Sequence, residues 1–205
     1  DEPFFRLQIL SQCAARFDIE VVRRFVEDKK VMSFNLLKGK RGIIFGALND
    51  ASIAWKVAER AVEEGAQIVL TNTAVACRMG TIDELAKKTG AVIIPADATS
   101  VEDLTNLFVQ AQEALGGKID FVLHSCAMSV NMRKKRTYDD LDYGFLNKTL
   151  DISAISFHKM LQAAKKLDAL SENASVLALT YVASHRTFFG YNDMADAKSL
   201  LESIA

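Results

Sequence analysis

Cysteine is scarce in this chain and badly spaced for chemistry. Cys13, Cys77 and Cys126 form no CxxC pair and no metal-ligand spacing with the three histidines, so neither a disulfide scaffold nor a zinc or other metal site is expected. An excess of charge is missing as well. Lys and Arg number 25 against 26 Asp and Glu, a formal net charge of −1, which leaves no electrostatic footprint for nucleic acid or an anionic membrane. No apolar run approaches the roughly 18 residues of a membrane span, and the start lacks the basic-then-apolar order of a signal peptide. Repeats and low-complexity linkers are absent too. A soluble chain in a reducing cytoplasm, acting on small molecules, is what these absences leave. With 205 residues, 50% of them apolar, the chain can bury a full core as one domain.

What is present is alternation of short apolar runs with helical patterns. GIIFGA (42–47) reads as a strand entering a turn, 52–64 as a helix, QIVL (67–70) as a second strand and 81–88 as a short helix. AVIIP (91–95) is a third strand, with Pro95 at its end where a lost N–H does little harm. The helix over 101–115 is started by Ser100 as N-cap with Asp103 at N3 and stopped by Gly116 and Gly117. IDFVLH (119–124) is strand four, a long helical region covers about 139–167, and SVLALT (175–180) is strand five. Apolar strands separated by helices predict an α/β fold, a doubly wound parallel sheet of Rossmann-like type covered on both faces.

Residues 1–31 are the least readable. A weak helical pattern starts at Asp18, with Ile19, Val22, Phe25 and Val26 on one side. The chain begins at Asp1 while Met32 stands just before the first organised unit. We therefore read 1–31 as an N-terminal extension of unclear role and 32–205 as the domain, a division that an intact mass from the native source tests.

Doubly wound sheets bind ligands at the carboxyl ends of their strands. The first such end, 46–54, is not GxGxxG, yet Gly46 permits close backbone approach and Ser52 can cap the next helix so that its free N–H groups face a pyrophosphate. A plain strand-turn-helix remains an equal reading of that stretch. Asp97, after strand three, could accept from an adenine amino group, and Ser125-Cys126-Ala127, after strand four, are small where a ribose could pass. Tyr181 closes strand five. Tyr191 and Lys198 are seven apart, so on a helix they share one face about two turns, or roughly 10 Å, apart.

Together GALNDASIAWKVAERAVEEGA, IPADATSVEDL, IDFVLHS, TLDISAISF and the Tyr181, Tyr191, Lys198 set resemble the enoyl-acyl-carrier-protein reductases of the FabI type, within the short-chain dehydrogenase/reductase superfamily. The resemblance runs from Met32 to the last residue. Commoner members of the superfamily place lysine four residues after the catalytic tyrosine, a position that is Ala195 here. The resemblance implies NADH-dependent reduction of trans-2-enoyl thioesters on acyl carrier protein during fatty-acid elongation, by a cytoplasmic homotetramer. It implies Tyr191 as donor to the thioester oxygen, Lys198 as holder of the nicotinamide ribose, and Tyr181 as pocket wall and assistant. Gly46, Ser52 and Ile53 would line the pyrophosphate and nicotinamide side, Thr73 the adenine ribose, Asp97 and Ala98 the adenine, Cys126 the adenosine-ribose stretch, and Ser129 the substrate side. No acid at Thr73 selects NADH and no adjacent base grips a 2′-phosphate, Arg78 being nearest, so NADPH stays open.

Cys126 and Ala127 depart from the family's Ile-Gly, and Val130 from the Pro of its nearer members. The family pattern also continues past Ala205, so the sheet is expected to be incomplete at the C-terminal edge and the chain to be a fragment. A carbonyl-reducing short-chain oxidoreductase and a catalytically silent nucleotide-binding fragment remain as alternatives. Cys126 reads as a structural thiol with no histidine to activate it, His124 as a core residue, and His185 and Arg186 as solvated or as bordering the active site. The run Arg133-Lys134-Lys135-Arg136 reads as a solvated loop or a steering patch for an acidic carrier protein.

Overall fold

The computed structural model describes residues 6–12 and 33–205. The helical pattern after Asp18, Cys13 and Met32 lie outside the described residues. All five strands expected from sequence form, as β2 (Arg41–Phe45), β3 (Gln67–Thr71), β4 (Val92–Ile93), β5 (Ile119–His124) and β6 (Leu170–Tyr181). A sixth, β1 (Arg6–Gln12), comes from the stretch that sequence left unread. Every pairing is parallel, in the order β1-β6-β5-β2-β3-β4. The chain winds outward from β2 to β4, then crosses back to β5, so the switch in strand order falls between β2 and β5.

Eight α-helices accompany the sheet among the described residues: α1 (Ile53–Glu63), α2 (Ala74–Met79), α3 (Ile82–Thr89), α4 (Val101–Leu115), α5 (Val130–Arg133), α6 (Tyr143–Leu150), α7 (Ser156–Lys166) and α8 (Asn192–Ile204). The strands feed both faces because side chains alternate along them. Ile43, Phe45 and Val122 pack with Leu104, Leu107 and Phe108 of α4 and Phe157 of α7. Ile44, Leu70 and Leu123 point the other way, onto Trp55 and Ala58 of α1 and Leu85 of α3. Each fully buried side chain of this size contributes about 1.5–3 kcal/mol. Burial on both faces is why the strands read as unbroken apolar runs.

The start of α4 is as expected: Ser100 Oγ accepts from the Asp103 N–H at 3.2 Å, and Gly116 stops the helix in the left-handed region at φ 71°. Three differences stand out. β4 is only two residues long, since Pro95 has no N–H for the ladder, although Ile94 and Ala96 still donate to Leu70 and Asn72. The long helix over 139–167 is divided, with a π-turn at Asp151–Ile155 between α6 and α7 and a 3₁₀ turn at Tyr138–Asp140 before them. Finally, the β6 edge that sequence left open is covered by β1, in register from Arg6 opposite Ser175 to Gln12 opposite Tyr181. Among the described residues no helix is long and apolar enough to cross a membrane, and no cluster of side chains could hold a metal.

Candidate active site

The crevice opens at the switch point, where β2 and β5 end side by side. Gly46 follows β2 at φ 86°, and a Cβ there would lie 2.2 Å from the Ser125 carbonyl oxygen. Only glycine lets the two strand ends approach this closely. Ser52 holds the N-cap position of α1, but its hydroxyl donates to Asn49 O at 2.7 Å and makes no cap bond, contrary to the expected side-chain cap. The first N–H groups of α1 therefore stay available for an anion. Ile53, at the helix start, is 42% exposed. Thr73 caps α2, accepting from Ala76 N–H at 3.2 Å. Asp97 accepts from the N–H and hydroxyl of Thr99 at 2.9 and 2.7 Å, while Ala98 is buried. Cys126 is half-buried, and burial pushes its thiol up to about 12, which makes it a poor nucleophile.

The opposite wall brings the two tyrosines together. Tyr181 ends β6, Tyr191 directly precedes α8, and their ring centroids lie 4.6 Å apart at 37°. Phe188 adds a third ring 5.3 Å from Tyr181. Lys198 sits two turns into α8 on the stripe with Met194 and Leu201, is 5% exposed, and donates Nζ to Leu179 O at 2.6 Å. Burial pulls its pKa down to about 8 against the opposing pull of Cys126 and Glu202. Burial, then the neighbouring Tyr181, raises that of Tyr191. Glu202 accepts from Ser184 Oγ at 2.6 Å and from Thr180, and faces His185 Nε2 at 2.7 Å. The loop joining the tyrosines is thus pinned to α8 by the residue one turn past Lys198.

A cavity of about 900 Å³ adjoins this wall, bounded by Met132, Arg136, Tyr138, His185, Phe188 and Asn192. It lies beside Tyr191 and does not include Lys198. The basic run ends α5 at Arg133 and continues as a turn with local partners: Arg136 bonds Asp140, and Lys134 stands 4.7 Å over the Phe145 ring.

Sequence reasoning missed the buried polar groups behind the tyrosines. Ser129 is 5% exposed and donates Oγ to Asp193 Oδ1 at 2.7 Å while capping α5, so its hydroxyl turns inward. Asn131 and Thr149 reach the other oxygen of the same carboxylate. The signal was available, since Asp193 shares a helical stripe with the buried Ala197 and Leu201. His124 is 1% exposed, as expected of a core residue, and its Nε2 lies 2.9 Å from Ser156 Oγ just after the π-turn. Its Nδ1 has no partner among the described residues, and burial holds it at about 3, hence neutral.

Comparison with known proteins places this geometry. The model of the family described as Enoyl-(Acyl carrier protein) reductase matches residues 46–205. The chain belongs to that family. It is 34% identical over 173 residues to the NADH-type FabI of Rickettsia bellii, covering 84% of this chain and 64% of that protein. Against NADH-type enoyl-acyl-carrier-protein reductase 1 of Rhizobium meliloti the figures are 35% over 169 residues, 82% and 61%. The crystal structure of FabI from Alistipes finegoldii superposes with a TM-score of 0.83 at 68% identity, covering 84% of this chain and 66% of that one. The FabI–NADH complex from the same organism gives 0.83 at 69% identity, with 84% and 61% covered. This chain therefore spans somewhat under two thirds of the length of these reductases.

Proposed function

We propose that the complete protein reduces trans-2-enoyl thioesters on acyl carrier protein with NADH, the reductive step of fatty-acid elongation. The observation that carries this reading is the tyrosine pair beside a buried lysine at the carboxyl end of β6, in a chain of this family. NADH, when bound, supplies the hydride that adds to C3 of the enoyl group. Negative charge then develops on the thioester oxygen, where a fixed donor is most effective. Tyr191 is that donor, kept protonated by its burial. Lys198 holds the nicotinamide ribose and adds positive potential from a buried position. Tyr181 walls the pocket and orients Tyr191 by ring contact.

The backbone side of the crevice suits a dinucleotide. The close approach of Gly46 to Ser125 and the free start of α1, with Ser52 and Ile53, fit the pyrophosphate and nicotinamide side. Thr73 borders the adenine ribose, Asp97 and Ala98 the adenine, and Cys126 the adenosine-ribose stretch. Ser129 serves as wall on the substrate side, because its proton goes to Asp193. A homotetramer in the cytoplasm is the assembly we infer from the family resemblance. Residues 32–205 act as its dinucleotide-binding part.

The test is enoyl-thioester-dependent oxidation of NADH, with NADPH in parallel, by the full-length protein. Turnover with NADH is expected. Reduction of a 3-oxoacyl thioester in its place would establish a carbonyl reductase, and nucleotide binding without turnover of either would establish a silent binding protein.

A further inference from the structure

We propose that Asp193 is a positioning residue for Tyr191: its buried carboxylate gathers two separate segments, the capped start of α5 and the end of α6, onto the first turn of α8 and so sets the phenol over the crevice. The proposal rests on the reading of Tyr191 as donor to the thioester oxygen. Asp193 is 0% exposed. Its Oδ1 accepts from Ser129 Oγ at 2.7 Å, and its Oδ2 from Asn131 Nδ2 at 2.9 Å and from Thr149 Oγ1 at 2.8 Å, a hydroxyl whose one proton is shared with Phe145 O at 2.9 Å. Ser129 lies at the end of the loop after β5, Asn131 in α5 and Thr149 in α6. Asn131 also clasps the backbone of Asp142 in both directions, at 3.1 Å each, just ahead of α6.

All three donors to the carboxylate are neutral. A carboxylate buried without a cation is costly, so three hydrogen bonds must compensate its lost hydration. An apolar residue at 193 would match the stripe of Ala197 and Leu201 without that cost. What the carboxylate adds is direction, because it accepts along lines fixed by two different elements, α5 with its N-cap and α6. The adjoining residue is constrained too. Asn192 takes φ 44° and donates Nδ2 to Arg136 O at 2.5 Å. Two successive side chains after Tyr191 are therefore tied to the loop and helices packed behind it. Tyr191, the residue before the helix, has little freedom left to rotate. A misplacement of about 1 Å at a reacting group costs on the order of 100-fold in rate.

The experiment uses Asp193→Asn in the full-length protein. The amide keeps the shape but removes the charge and replaces one acceptor with a donor, so a facing hydroxyl must reverse its bond and the stronger charge-assisted acceptance is lost. Expected are unchanged NADH affinity, a KM for enoyl thioester within about twofold, and kcat lower by roughly 10- to 100-fold. The phenol of Tyr191, titrated by ultraviolet difference against Tyr191→Phe, should move down toward the ordinary tyrosine range. If Asp193→Asn does not fold, Thr149→Val removes one donor and should give a smaller kcat loss at the same NADH affinity. Unchanged kcat with an unchanged titration would overturn the proposal. So would kcat and NADH affinity falling together in step with thermal stability, the mark of a structural pillar. Should the wild-type protein turn over no enoyl thioester, the reductase reading fails, and the Tyr191 titration alone still decides whether Asp193 positions the phenol.

Discussion

Of the eleven polar or charged side chains buried among the described residues, two belong to the stretch from α1 through β3 and nine lie between His124 and Lys198. The two walls of the crevice work differently for that reason. The wall on β2, β3 and β4 offers backbone: a glycine against the Ser125 carbonyl, an uncapped helix start and a two-residue strand ending in a turn. The wall on β5, β6 and α8 offers side chains, each held by a neighbouring side chain or carbonyl. Tyr191 leans on Tyr181, Lys198 on the Leu179 carbonyl, and Ser129, Asn131 and Thr149 on Asp193. A backbone wall binds a cofactor of fixed shape and changes little with side-chain substitution. On the function proposed above, the side-chain wall is the one that meets developing charge, and it is correspondingly sensitive.

That contrast can be broken or sharpened by experiment. The largest effect belongs to Tyr191→Phe, which should lower kcat by about 10²–10³ while NADH affinity holds, as for loss of one donor to a developing oxyanion. Tyr181→Phe should cost distinctly less, and parity of the two in steady-state assays would remove the division of roles. On the backbone wall, Gly46→Ala should destabilise the protein by about 3 kcal/mol, from left-handed strain together with overpacking. Thermal unfolding with and without NADH checks this, and a variant as stable as the parent would show that the two strand ends can separate.

Lys198 supplies a pH test. Its folded pKa of about 8 lies below the ordinary 10.5, so kcat/KM should fall as pH rises through about 8, and Lys198→Met should lack that limb. Stability moves the other way. Between about 8 and 10.5 the unfolded chain binds a proton that the folded lysine has released, so this residue makes folding more favourable as pH rises across that window. Denaturant titrations at pH 8 and pH 10 compare the two signs. The smallest effect is expected from Ser100→Ala, which removes the α4 cap far from the tyrosines. It should cost about 1 kcal/mol of stability and leave steady-state turnover alone.

Legibility in the sequence followed the same division. Elements whose cause is local were readable: β5 at Ile119–His124 and α4 at Val101–Leu115 have the predicted bounds, because apolar runs, a Ser-Asp cap and a terminal glycine act over a few residues. Elements with no local cause were not. β1 forms by pairing with β6, the π-turn at Asp151–Ile155 sits inside an unbroken helical pattern, and α2 follows a Thr73 cap without an apolar stripe to announce it.

For the site, the spacing of Tyr181, Tyr191 and Lys198 already stated in sequence that three unusual groups could share a face. The alternation of strand and helix patterns also implied the doubly wound sheet, since strand and helix periods are properties of neighbouring residues. What only the tertiary structure decided is which side chains stand behind them. That the hydroxyl of Ser129 turns inward to meet Asp193, 64 residues away, is visible only in the folded chain. Ser52 reads as a helix cap until its proton is found on Asn49. Hydrogen bonds between distant segments depend on how elements dock and on which groups water can no longer reach, and neither quantity is local to any stretch of chain.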